Sequence, residues 1–265
     1  PNDNLCIQKI AITNQTNEKR NLRILSYGEV VLAPLATDQQ HPAFNKMFIE
    51  SSYHPELNML HFQRRKRSAD EDPLGMAHLL IDDLANDVEY ETDREKFIGR
   101  GHAISKPIVL QNHIKLSGSI GITLDPIFSI GKRIELRPNG NVDLNYLTVA
   151  AENIEQSKKL VNSYKNPIKI KNAFSSAESH SEKMLRAMDL NSEQLSRFQK
   201  LLSHIVFPIP ELRTNSALIA KNTLSQSGLW SFGISGDYPI LLVMIDHHEV
   251  TAALQESTFA LSRWR

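Results

Sequence analysis

Three short stretches hold residue types that could do chemistry. Gly233-Ile-Ser-Gly-Asp237 interrupts the apolar run from Gly228 to Ile245 with two glycines, a serine and an aspartate. Glycine lets backbone approach a ligand closely, and the Asp237 carboxylate offers two acceptor oxygens. The pattern is near the Gly-x-Ser-x-Gly nucleophile elbow, but its fifth position is aspartate and the strand-to-helix context of a serine hydrolase is missing. The phosphate-loop spacing Gly-x-x-x-x-Gly-Lys-Ser/Thr is absent too. Two readings stand for the stretch: a ligand site on Asp237, or a kink in which Asp237 caps the next turn and Pro239 opens a helix.

Asp246-His-His-Glu249 places two adjacent histidines before an apolar helical pattern. Adjacent helical side chains point about 100° apart, so the pair does not share an ion as an i, i+4 pair does, and the segment reads as a capping box with no metal site. Tyr90 to Gly101 packs Glu91, Asp93, Arg94 and Arg100 around Phe97 and two glycines. It reads either as a loop held by its own ion pairs at the sandwich edge or as a sugar contact beside an aromatic ring. Arg64-Arg-Lys-Arg67 is followed at once by Asp70-Glu-Asp72 without interleaved aromatics, which favours a solvated turn with local ion pairs over a nucleic-acid surface.

The elements that must position these groups divide the chain by hydrophobic period. Up to about residue 150 the text is strand-like, with alternating runs at Cys6 to Thr13 and Asn21 to Leu32, expected to pair as a hairpin. Further strands are predicted at Phe44 to Tyr53, Met59 to Gln63, Met76 to Ile81, Ile120 to Leu124, Ile127 to Leu136 and Val142 to Val149, a large antiparallel sandwich. Beyond Ala150 the period becomes helical. Asn153 and Asn191 open helices with glutamine three residues on, a second helix runs from about Ile168 to Met188, and Pro208 and Pro210 close the third.

Composition sets the outer limits. The 265 residues are 41% hydrophobic and 23% charged, ordinary for a soluble globular protein. Thirty basic against thirty acidic residues give a formal net charge of zero, so nothing favours nucleic acid or an anionic membrane, and a neutral partner fits better. Cys6 stands alone, which excludes an internal disulfide and a thiolate zinc cluster. No run reaches membrane-spanning length. A start at Pro1, followed at once by a strand, raises the expectation of a segment from a longer, membrane-anchored protein.

Ser26 to Pro34 (SYGEVVLAP), His41 to Phe48 (HPAFNKMF), Tyr90 to Gly101 (YETDREKFIGRG), Leu124 to Ile130 (LDPIFSI) and Ser227 to Ile245 resemble, in this order, the C-terminal part of bacterial cyclic β-1,2-glucan synthases. That part is in turn similar to the cellobiose and chitobiose phosphorylases, which carry a Glu-Thr-Asp-Arg-x-x-Phe-x-Gly segment. The resemblance implies an α+β chain: a galactose-mutarotase-like β supersandwich over 1–150, a helical linker over 151–225, and the first segment of an (α/α)6 barrel over 226–265.

For chemistry it implies inverting phosphorolysis, in which one carboxylic acid protonates the glycosidic oxygen while inorganic phosphate, a co-substrate and not a cofactor, attacks the anomeric carbon. It also implies that this acid lies past Arg265, so that no catalytic residue is assigned here and the segment alone is inactive. Asp237 matches the aspartate of a Gly-Phe-Arg-Asp sugar-binding segment, with Gly236 where the family has arginine. Trp230 is a candidate ring face, and Asp93, Arg94 and Arg100 are candidate sugar contacts. The implied partners are a β-1,2-glucan or related β-glucoside and the rest of the parent polypeptide, on the cytoplasmic face of an inner membrane, with a homodimer as a further expectation. Two rivals remain: a stand-alone carbohydrate-binding module and a structural or dimerising scaffold.

Overall fold

The computed structural model describes residues 3–81, 88–111, 114–207, 209, 213–240 and 242. It divides into two compact units, Pro1–Ser176 and Ala177–Arg265. The first unit is built on two antiparallel sheets. One has six strands in the order β1 (Leu5–Thr13), β10 (Asn141–Ala151), β6 (Gly75–Ile81), β5 (Met59–Arg64), β4 (Ile49–His54) and β8 (Gly121–Ile122). The other centres on β9 (Pro126–Leu136), which pairs with β2 (Arg20–Leu25), β3 (Gly28–Glu29) and β7 (Val88–Asp93).

The six-stranded sheet is covered on both faces, which its sequence shows as strands that are apolar on both parities. Leu60, Phe62, Leu80, Leu144 and Tyr146 face inward and meet Ile130 and Val30 of the other sheet. The alternate residues Met59, Ala77, Leu79, Leu147 and Val149 face outward. There they pack against Val161 and Tyr164 of α4 (Ile154–Tyr164) and Ile170 of α5 (Pro167–Ala187). A third cluster, Phe97, Ile98, Val109, Leu116 and Ile127, closes one end around α3 (Arg94–Ile98).

Four strand expectations change. The run Asn21 to Leu32 does not pair with β1: β1 pairs with β10 and β2 with β9, so the polar turn between them carries the chain from one sheet to the other. That run also breaks after Leu25, where Ser26 and Tyr27 separate β2 from β3. Before β4 the chain is helical, in α1 (Leu35–Gln40) and α2 (Pro42–Lys46), because Pro42 sits at the first helical position where its missing N–H costs nothing. Ile120 to Leu124 contributes only the two residues of β8. Val88 to Asp93, read as loop, is strand β7.

The second unit holds the end of α5, α6 (Ser192–Val206) and a short α7 (Ser216–Ile219). The predicted capping box at Asn191 is present in full: its side chain accepts from Gln194 N–H at 2.8 Å, and the Gln194 side chain accepts from Asn191 N–H at 3.0 Å. At Asn153 the box is displaced by one residue. Asn153 caps Gln156 N–H, but the Gln156 side chain accepts from Glu152 N–H. Leu190 and Phe198, with Leu185 and Met188, form the small core of this unit. No helix among the described residues is long and apolar enough to cross a membrane.

Candidate functional site

Four of the five segments that carry the family resemblance meet at one end of the sandwich. Tyr27 and Glu29 come from the turn into β3, Lys46 from the last turn of α2, Arg94 from the first turn of α3, and Asp125 from the residue before β9. Glu29 Oε1 accepts from the Tyr27 hydroxyl and from Arg94 Nε, both at 3.1 Å. Arg94 Nε also stands 3.6 Å from Asp125 Oδ2, while its backbone N–H donates to Asp125 O at 3.1 Å. Lys46 Nζ donates to Asp125 Oδ1 at 2.5 Å. Two carboxylates and two cations thus balance within one cluster, with Glu29, Arg94 and Asp125 between 36% and 44% exposed.

Backbone geometry aims these groups. Gly28 lies on the Phe128 ring across the ladder, so a Cβ there would run into the ring. Ser26 fixes the preceding kink: its hydroxyl accepts from Ile130 N–H at 2.9 Å and pairs with His78 Nε2 at 2.9 Å. His78 in turn meets Thr148 Oγ1 at 3.0 Å and stacks between Phe128 and Tyr146. Burial pushes its imidazole down to about 3, so it is neutral at ambient pH. Burial also raises the Tyr27 phenol, and Glu29 adds to that. Burial works to lower Arg94, but its bonds to Tyr27 and Glu29 outweigh it and raise the guanidinium above its usual value.

The ion pairs expected within Tyr90 to Gly101 are replaced by longer-range ones, Arg94 meeting Glu29 and Asp125. Glu91, Asp93, Arg94 and Arg100 do not pair with one another. Glu91 is 1% exposed, and its carboxylate accepts from the N–H groups of Thr92 and Asp93, both at 3.0 Å, and from Ser117 N–H and hydroxyl at 3.2 and 2.5 Å. Asp93 is the N-cap of α3, accepting from Glu95 N–H at 2.9 Å. Arg100 is exposed and makes no ion pair among the described residues. Phe97 is buried in the third core cluster, so its ring offers no face to a ligand, and Tyr27 lies against it at 5.0 Å. Glu29, Lys46 and Asp125 were missed. Their one signal is that each is a lone charge within a segment shared with the family.

In the second unit Trp230 belongs to a 3₁₀ turn over Gln226–Phe232, ended by Gly233 in the left-handed region at φ 72°. Gly236, at φ 74°, turns the chain again and sets Asp237 beside Gln226. The Asp237 carboxylate accepts from Gln226 Nε2 at 3.0 Å, and that amide also donates to Ser235 O at 2.8 Å. Asp237 therefore closes a small loop on itself, and no helix begins at Pro239 or Ile240. Trp230 is 65% exposed, and its indole N–H reaches Ser235 O at 3.4 Å. Asp246 to Glu249 lies outside the described residues.

The basic tetrad divides: Arg65, Lys66 and Arg67 are exposed, as a solvated turn predicts, and Arg64 is not. Arg64 is buried, not solvated, and donates to Asn45 O at 3.0 Å; Arg64 and Arg67 both lie over the Phe48 ring, and Arg67 pairs with Glu71 at 2.8 Å. Among the described residues no group of three or more His, Cys, Asp or Glu is placed to hold a metal ion.

The first unit is thus an antiparallel β sandwich flanked by helices, with four of the shared segments at one end. Residues 1–167 match the model for the supersandwich domain of glycosyl hydrolase 94, and the chain belongs to that family. Among curated proteins it is similar to cyclic beta-(1,2)-glucan synthase NdvB of Rhizobium meliloti (strain 1021), with 30% identity over 241 residues. That alignment covers 90% of this chain but only 8% of the relative's length.

Proposed function

We propose that the chain is the sandwich and linker portion of the phosphorylase-like region of a cyclic β-1,2-glucan synthase, acting on β-1,2-glucan or a related β-glucoside within a longer polypeptide. The observation that carries this reading is the 241-residue similarity to the Rhizobium synthase, which is longer than either compact unit and so reaches into both. On this reading residues 1–150 are the supersandwich, 151–225 the helical linker and 226–265 the first segment of an (α/α)6 barrel. The parent sits at the cytoplasmic face of an inner membrane, and its phosphorylase-like region trims glucan to length. Phosphate attacks the anomeric carbon while a carboxylic acid outside this chain protonates the leaving oxygen. The chain by itself is therefore inactive.

Each unit offers candidate sugar contacts of its own. Asp237 has acceptor capacity beyond its bond to Gln226, and the exposed Trp230 ring can stack on a pyranose face. In the sandwich Arg94 is the contact, because it stands among exposed acceptors, whereas the Asp93 carboxylate is committed to capping α3. Mutual neutralisation of the cluster around Arg94 suits a neutral polyhydroxyl ligand.

The test uses the parent protein. Asp237→Ala and Arg94→Ala each shift the glucan length distribution and lower glucose 1-phosphate formation about tenfold or more, as loss of a charged hydrogen bond to a sugar does. Unchanged products from both variants would remove these residues from the site. For the 265-residue chain alone, phosphate-dependent glucose 1-phosphate formation overturns the inactive reading. Saturable glucan binding in calorimetry makes the chain a binding module, and a stable dimer without such binding makes it a scaffold.

A further inference from the structure

β1 is a nine-residue strand at the edge of the six-stranded sheet, and its outer side has no partner among the described residues. Pairing with β10 fixes what that side presents. Leu5 lies opposite Val149 and Thr13 opposite Asn141. The bonds that frame this register, Asn14 N–H to Gly140 O at 2.8 Å and Ala150 N–H to Asn4 O at 2.9 Å, put the even-numbered residues of β1 in the hydrogen-bonded pairs. Ile7, Lys9, Ala11 and Thr13 therefore turn their N–H and C=O groups outward, while the Leu5 N–H is taken by Asp3 O at 2.8 Å.

Among the described residues nothing along this edge blunts it. The opposite edge of the same sheet is the two-residue β8, and the outer side of β7 is occupied by the Glu89 and Glu91 side chains, which take the N–H groups of Leu116 and Ser117. Short strands and covered edges are the usual protection against strand addition. β1 has neither: it contains no proline, keeps register throughout, and its one charge, Lys9, is paired with Asp143 at 2.6 Å. It also carries apolar side chains on both faces, with Leu5 and Ile7 packed on the core under α4 and Ile10 36% exposed.

We propose that a strand from elsewhere in the same longer polypeptide pairs along the outer edge of β1 and extends the six-stranded sheet. This rests on reading the chain as a segment, and the relative of which it spans 8% has ample chain to supply such a strand. A second copy of the chain fits less well. The two-fold register that uses all nine residues is centred on Lys9 and sets Lys9 against Lys9, a like-charge cross-strand pair.

Hydrogen exchange resolved to single amides tests this, comparing the 265-residue chain with the full-length gene product that contains it. In the short chain Cys6, Gln8, Ile10 and Ile12 exchange slowly while Ile7, Lys9, Ala11 and Thr13 exchange fast; in the full-length protein the second set slows by about tenfold or more. Ala11→Pro, which removes an outward N–H, lowers the melting temperature of the full-length protein but not of the short chain, whereas Ile10→Pro lowers both. If the full-length product is longer and its odd-numbered amides still exchange fast, the proposal is overturned while the segment reading stands. A gene product of these 265 residues alone overturns both. Slow odd-numbered amides in the short chain, dependent on concentration and matched by a sedimenting dimer, assign the edge to a second copy and overturn the proposal.

Discussion

Two buried histidines contribute to the acid response of the sandwich. His61 on β5 is 5% exposed, and its Nε2 finds no hydrogen-bond partner. Burial, and after it the charge of His54, pushes its imidazole down to about 4, as burial pushes His78 down to about 3. Both folded values lie below the ordinary 6.5, so in acid the unfolded chain takes up protons that the native chain refuses, and stability falls with pH. The loss begins near pH 6.5 and continues to about pH 4 for His61 and about pH 3 for His78. His61→Gln is expected to remove about 1–3 kcal/mol of the stability difference between pH 7 and pH 4. Urea unfolding followed by tyrosine near-UV dichroism at a series of pH values measures it; an unchanged slope would show that His61 is solvated in the native state. Neither histidine was marked by the sequence. A buried imidazole leaves no trace in spacing or composition.

At the scale of elements, β7 and the segment after Ile114 are joined through carboxylates in place of a backbone ladder. Glu91 Oε2 takes both donors of Ser117, and Glu89 takes Leu116 N–H at 2.9 Å while pairing with Arg23 at 2.5 Å. Burial pushes Glu89 up, but the Arg23 and Leu116 bonds outweigh it and hold its carboxyl below the usual range. Because Thr92 Oγ1 also donates to Ser119 O at 2.9 Å and Gly118 N–H to Tyr90 O at 3.0 Å, the segment is tied at four points to the strand that leads into Arg94. Glu91→Gln replaces an acceptor with an amide NH₂ facing N–H donors. It is expected to cost about 2 kcal/mol and to lower the melting temperature of the first unit by about 4–8 °C. Differential scanning calorimetry reads this directly, and a shift under a degree would mean that water replaces the lost acceptor. The sequence marked Tyr90 to Gly101 as unusual, but it could not say that Glu91 is buried, since its partners Ser117 and Thr92 differ from those of an ion pair only in three dimensions.

For the whole molecule, the two compact units differ in what holds them. The first has three core clusters, whereas the described residues of the second bury only Leu190 and Phe198 as a hydrophobic cluster. Unfolding is therefore expected in two steps, the second unit first. Both tryptophans, Trp230 and Trp264, lie beyond Ser176, and five of the six tyrosines lie before it, so the probes separate. Tryptophan fluorescence should change at lower urea than tyrosine near-UV dichroism, and coincident curves would show a single cooperative unit. By itself the sequence determined the order of strand-rich and helix-rich parts, the strands β5, β6, β9 and β10, and the cap at Asn191, because each depends on neighbours a few residues apart. Only the tertiary structure decided that β1 pairs with β10, that Arg94 meets Glu29 and Asp125, and that the outer edge of β1 has no strand partner among the described residues. Those contacts join residues 31 to 144 positions apart, and their energies are set by which strands come together, a property that local period and charge pattern do not encode.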